Sequence, residues 1–151
     1  MNELKRILLA EDSENDIELT LTALAANNLA NEVVVARDGT EALDYLYRRG
    51  KFQNRAAGNP AVILLDVKMP KVDGLEVLRT IRADQALTAI PVVMVTSSRE
   101  EGNVVESYRL GVNAYVVKPV DFQQFIEAVK QLGVFWAIIN EPPPGSVPKT
   151  R

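Results

Sequence analysis

Residues 61–65, Ala-Val-Ile-Leu-Leu, form an apolar run without alternation, and the next residue is Asp66. A half-buried strand alternates apolar and polar side chains. An unbroken run predicts a strand buried on both faces, inside a parallel sheet covered by helices. A carboxylate that closes so dry a segment belongs where the strand emerges into a loop, and Met69-Pro70 and Asp73-Gly74 follow at once. In open α/β sheets that carboxyl edge is where ligands and chemistry collect. Asp66 is therefore the candidate working residue, and the ends of the other strands define its surroundings.

The rest of the chain supplies those strands. Residues 5–10 predict a first strand running into Glu11-Asp12-Ser13. Ser13 and Asp16 fit a capping signature for a helix with Ile17, Leu21 and Leu24 at helical spacing, ending at Asn27-Asn28. Residues 33–36 predict a second strand, and Asp38-Gly39-Thr40 opens a helix whose apolar stripe is Ala42, Leu43, Leu46 and Tyr47. Residues 50–58 are polar and irregular, a longer connection than an αβ unit needs. The basic run Arg48-Arg49-Gly50-Lys51 reads as a solvated loop. After the central strand, Asp73-Gly74 leads into a helix with Leu75, Leu78 and Ile81. Residues 92–95 predict a fourth strand ending on Thr96. A weaker helix from about 100 to 110 is closed by Gly111. Residues 114–117 predict a fifth strand ending on Lys118-Pro119, and a last helix begins near Asp121. Strands alternating with helices predict an α/β fold with a parallel sheet and helices on both faces.

Composition narrows the chemistry. The chain has no cysteine and no histidine. Disulfides, thiolate and zinc-thiolate sites, His-based triads and imidazole ligands are thus excluded. A net charge of −3 gives no electrostatic case for nucleic acid as a partner. The apolar stretch at residues 7–10 is too short for a signal peptide or a membrane span, so a cytoplasmic protein is expected. Carboxylate, lysine, hydroxyl and a hard metal remain. At 151 residues there is room for one ordinary domain. It is expected over residues 1–140, with the proline-rich residues 141–151 extended or disordered.

In a parallel sheet all carboxyl ends share one edge. That edge would gather Glu11 and Asp12 from the first strand, Asp66 from the third, Thr96 from the fourth and Lys118 from the fifth. Close carboxylates repel by about 4 kcal/mol per pair at intermediate dielectric, so three together call for a cation. Oxygen ligands without histidine favour Mg²⁺. Flanked by the metal and the Lys118 ammonium, Asp66 can stay ionised and attack phosphorus, with Thr96 donating to a phosphoryl oxygen.

The motifs LLAEDS, LLDVKMP-x-x-DG, VTS and YVVKP, in this order, resemble the receiver domains of two-component response regulators, the CheY-like, flavodoxin-like class. The resemblance covers about residues 5–132. It implies a (βα)5 doubly wound, five-stranded parallel sheet of order 2-1-3-4-5. It further implies that Asp66 receives a phosphoryl group from a histidine on a partner sensor kinase. Asp12 would bind Mg²⁺ directly, Glu11 through water, and the Lys68 backbone carbonyl would add a ligand. Thr96 and Lys118 would contact the acyl phosphate, Pro119 would carry a cis peptide bond, and Tyr115 would be the aromatic switch that turns inward as Thr96 moves.

Two features narrow the type. The long basic connection from Tyr47 to Arg55 is one. The other is an extension of the last helix with Phe135, Trp136, Ile138 and Ile139, which would expose apolar surface on a monomer and so predicts a homodimer. Both are similar to response regulators paired with phytochrome-type kinases. Signalling would then proceed by protein binding, without nucleic acid or membrane and without activity on a separate substrate. Three alternatives fit these residues less well. A Mg²⁺-dependent aspartate-nucleophile phosphohydrolase would want an acid where Lys68 stands. A flavin carrier would not place Glu11-Asp12-Ser13-Glu14 against a phosphate. A receiver-like adaptor that is never phosphorylated would not need the full set of residues.

Overall fold

The strands owe their two-sided burial to an alternation hidden inside their apolar runs. In a computed structural model, which describes residues 6–26, 32–96 and 101–118 together with the single residues 123 and 127, five strands form one sheet. They are β1 (Arg6–Ala10), β2 (Glu32–Ala36), β3 (Val62–Leu65), β4 (Val92–Thr96) and β5 (Ala114–Val117). All neighbours are parallel, in the order β2-β1-β3-β4-β5. Ile7, Leu9, Val62, Leu64, Val93, Val95, Ala114 and Val116 point to one face and pack with Ile17 and Leu24 of helix α1 (Glu14–Ala26). Leu8, Ala10, Ile63, Leu65, Val92 and Met94 point to the other. There they meet α2 (Gly39–Tyr47) and α3 (Gly74–Ala83). A fourth helix, α4 (Glu101–Arg109), leads into β5. This is the flavodoxin-like, doubly wound order that the motifs imply.

The helix starts were readable from capping residues. Asp38 accepts the Glu41 N–H at 2.8 Å and Asp73 accepts the Glu76 N–H at 2.9 Å, each satisfying a donor that the first turn leaves over. Gly111, at φ 97°, follows α4 in the left-handed region that closes helices. The apolar stripe of α2 needs a correction. Tyr45, not Tyr47, is its buried aromatic. The Tyr47 ring is exposed, and its hydroxyl donates to Asp84 at 2.7 Å.

Residues 50–58 are less irregular than expected. A single 3₁₀ turn (Gly50–Phe52) begins them, and Phe52 meets the Tyr45 ring edge-on at 5.2 Å. Arg55 lies over the same ring at 4.0 Å and donates to the carbonyls of Tyr45 and Gly58. Arg6, at the start of β1, donates to the Tyr45 hydroxyl and the Ala57 carbonyl. The basic run itself is exposed, with Arg49 paired to Asp44 and Lys51 to Glu41.

The last helix lies outside the described residues apart from Gln123 and Glu127, which are helical. Pro119, the expected dimer residues Phe135, Trp136, Ile138 and Ile139, and the tail at 141–151 also lie outside them. Among the described residues no helix is long and apolar enough to cross a membrane.

Candidate phosphoacceptor site

Each acid of the site is fixed by the strand that precedes it. Glu11 follows β1, and its N–H donates to the Ala36 carbonyl at 2.9 Å, extending the β1–β2 ladder by one bond. Asp66 follows β3 in the same way, its N–H reaching the Ala10 carbonyl at 3.1 Å. The two carboxylates therefore stand side by side at the carboxyl edge, and both are buried, at 3% and 6% exposure. Asp12, the next residue along, is exposed. Carboxylate oxygens of Glu11, Asp12 and Asp66 all lie within 4.8 Å of one another.

Lys118, directly after β5, reaches across the edge into this group. Its Nζ donates to Glu11 Oε1 at 2.8 Å and to Asp66 Oδ2 at 3.1 Å. A third acid, Asp16, accepts from the same ammonium at 2.7 Å. Sequence reasoning assigned Asp16 to the cap of α1, and that reading is half right. The Asp16 N–H does donate to Ser13 Oγ at 3.3 Å. The Ser13 N–H, however, goes to Glu11 Oε2 at 3.1 Å, so the Asp16 carboxylate is free to turn into the site. No local signal pairs Asp16 with a lysine 102 positions away.

Burial is the largest influence on both charged partners. It pushes the Glu11 carboxyl up to about 7, against the hydrogen bond from Lys118, while the nearby charge of Asp66 pushes the same way as burial. Burial also disfavours the Lys118 ammonium. The hydrogen bonds to Asp16 and Glu11 and the charge of Asp66 outweigh it, and the ammonium is held above its ordinary range. Four acids against one ammonium among the described residues leave surplus negative charge at an edge where Glu11 and Asp66 are buried. The donor set contains only oxygen, and it suits a hard divalent cation held by Glu11, Asp12 and Asp66.

The loop after Asp66 is braced from two sides. Lys68 N–H donates to Asp66 Oδ1 at 3.3 Å, turning the carboxylate toward the edge. Gly74 N–H donates to the Val67 carbonyl at 2.7 Å, and a Cβ on Gly74 would stand 2.1 Å from the Asp66 carbonyl oxygen. A Cβ on Gly39 would meet the Val72 carbonyl oxygen at 1.8 Å. Both glycines are required by close backbone approach, and both press the loop against the sheet.

The remaining expected residues are placed as follows. Thr96 ends β4, in register with Val117 of β5, which brings it to the same edge; its side chain lies outside the described part. Tyr115 is half-buried on β5 and packs against the α2–α3 side of the core. Its neighbour across the ladder is Met94.

A doubly wound parallel sheet with acids after β1 and β3 and a lysine after β5 is the frame of a two-component signalling domain. The chain belongs to the response regulator receiver domain family, whose model matches residues 7–130. Response regulator Rcp1 of Synechocystis sp. (strain ATCC 27184 / PCC 6803 / Kazusa) is 38% identical over 132 residues, covering 87% of this chain and 88% of that one. The solved structure of the bacteriophytochrome response regulator AtBRR is similar at 65% identity and a TM-score of 0.84, over 93% of this chain and all of the other. That of the phosphorylated cyanobacterial phytochrome response regulator RcpA is similar at 42% identity and a TM-score of 0.74, over 89% of this chain and 94% of that one. Rcp1 has also been solved in a Mn²⁺-bound form, at 37% identity and a TM-score of 0.73 over 92% of this chain and 99% of that one.

Proposed function

We propose that the chain is a phosphorylation switch in which Asp66 accepts a phosphoryl group from a phosphohistidine of a sensor kinase. An Asp66 oxygen attacks phosphorus, a P–O bond forms as the P–N bond breaks, and the departing imidazole keeps the bonding electrons and takes up a proton. The observation that carries this reading is the Lys118 ammonium 3.1 Å from Asp66 Oδ2, in a pocket with negative charge to spare. That ammonium stands ready to donate to the transferred oxygens. Glu11, Asp12, Asp66 and the Lys68 carbonyl would hold Mg²⁺, which when bound neutralises charge on the phosphoryl oxygens. Thr96 donates to one of those oxygens, and Tyr115 turns inward as Thr96 moves. The chain catalyses only its own phosphotransfer and dephosphorylation.

The partner kinase in this reading is of the phytochrome type, supported by the likeness to AtBRR and RcpA. The output is protein binding by a cytoplasmic homodimer joined through Phe135, Trp136, Ile138 and Ile139.

Acetyl phosphate and Mg²⁺ with intact-mass detection test the switch. The natural protein gains one phosphoryl group, and Asp66→Asn gains none. Equal labelling of the two would sink the assignment. Sedimentation as a monomer at micromolar concentration, with and without phosphate, would remove the dimer.

A further inference from the structure

Lys118 is held by a residue that the acidic group does not include. An ammonium has three N–H donors, and three carboxylates take them: Asp16 at 2.7 Å, Glu11 at 2.8 Å and Asp66 at 3.1 Å. Glu11 and Asp66 also belong, with Asp12, to the group whose oxygens can share a cation, and Asp16 does not. It sits in the first turn of α1.

We propose that Asp16 is a positioning residue for Lys118, keeping the ammonium beside Asp66 when the other two carboxylates are committed to a cation. This rests on the phosphoacceptor reading of Asp66. The reason is charge. A cation among Glu11, Asp12 and Asp66 draws on two of the three ammonium partners and repels the ammonium itself. A lysine stem has four rotatable carbons and a strongly hydrated head, so solvent is an open alternative for it. A carboxylate outside the cation's group opposes that escape, and its hydrogen bond to Lys118 is the shortest of the three. Asp16 touches no reacting atom in this scheme and acts through Lys118 alone. The competing role is a local one, an acid that merely favours the start of α1.

The test compares wild type, Asp16→Ala, Asp16→Asn, Lys118→Ala and the double variant Asp16→Ala/Lys118→Ala. Labelling of Asp66 by acetyl phosphate is timed at saturating Mg²⁺. Asp16→Ala slows it about tenfold, short of the roughly hundredfold that a 1 Å misplacement can cost, and Asp16→Asn, which keeps an acceptor without charge, falls between. In the Lys118→Ala background, removing Asp16 changes the rate by less than about twofold, because the pair acts as a unit. The second readout needs no phosphate. In nitrogen-15 spectra at saturating Mg²⁺ the Lys118 ammonium is protected from exchange, and Asp16→Ala abolishes that protection. Wild-type labelling by both Asp16 variants, a full slowing retained without Lys118, or an unchanged ammonium signal would each overturn the proposal. If Asp16→Ala does not fold, Asp16→Asn carries the same comparisons. If wild type takes no phosphate on Asp66, the phosphoacceptor reading fails, and the ammonium signal still decides the tether.

Discussion

A methyl group on Gly74 would stand 2.1 Å from the carbonyl oxygen of Asp66. Backbone, not a flexible side chain, is what it would strike, so the loop after Asp66 itself must shift. Gly74→Ala is expected to cost about 1–3 kcal/mol, the range for overpacking, and to cut labelling of Asp66 by acetyl phosphate. Chemical denaturation and intact mass check the two effects.

Arg82 ties α3 to the loops that enter β4 and β5. Its guanidinium donates to the carbonyls of Gly111, Thr88 and Ile90 and to Asn113 Oδ1, and the same Asn113 oxygen accepts the Val92 N–H. Removing the head leaves the part-buried Ile90 carbonyl without its donor at the opposite edge from the site, while the exposed acceptors turn to water. Arg82→Ala should cost about 1–3 kcal/mol, and Lys should not restore it, because an ammonium lacks the planar fork. Thermal denaturation of the two variants decides this, and equal stability of Lys and Arg would contradict it.

Ser107 is fully buried on α4, and its hydroxyl finds no hydrogen-bond partner among the described residues. An unpaired hydroxyl in a dry place costs free energy, and serine is also a poorer helix former than alanine. Ser107→Ala is expected to raise stability by about 1 kcal/mol, read as an increase in Tm. A decrease would mean that the hydroxyl has a partner.

The raised Glu11 carboxyl gives the metal-free protein a pH dependence. A carboxyl whose pKa is higher in the folded state binds more protons there, so its contribution is fully present below the ordinary value of 4.5 and is lost as pH rises through about 7. Glu11→Gln mimics the protonated form. In chelator the variant should match wild type near pH 4.5 and gain on it up to about pH 8. Saturating Mg²⁺ should reverse the order, because only the ionised acid helps hold the cation. Melting curves across this range, with and without chelator, provide the check.

The central strand, Asp66 and Lys118 were legible because each rests on a local rule: an apolar run must be covered, and a charge must leave it at the end. The order of the strands needed the motifs together. Asp16 was missed because its backbone fits a cap while its carboxylate answers to a lysine more than a hundred positions away. Tyr45 and Tyr47 both lie near the apolar stripe of α2, and which one is buried depends on Arg6, Phe52 and Arg55 meeting one of the rings. Gly74 and Gly39 read as ordinary helix openers. Their close contacts with residues 66 and 72 arise only when α2 and α3 dock.

Glu11 extends β1 and Asp66 extends β3, two strands each with a neighbour on either side, whereas Lys118 extends β5, which borders β4 alone. The acids are thus bolted to the anvil of the molecule, and neither can travel without tearing ladders on both flanks. The lysine hangs from the rim. Any rearrangement that follows a change of charge at Asp66 falls to the β4–β5 side of the sheet, where Thr96 and Tyr115 stand, with the acidic floor standing still beneath them.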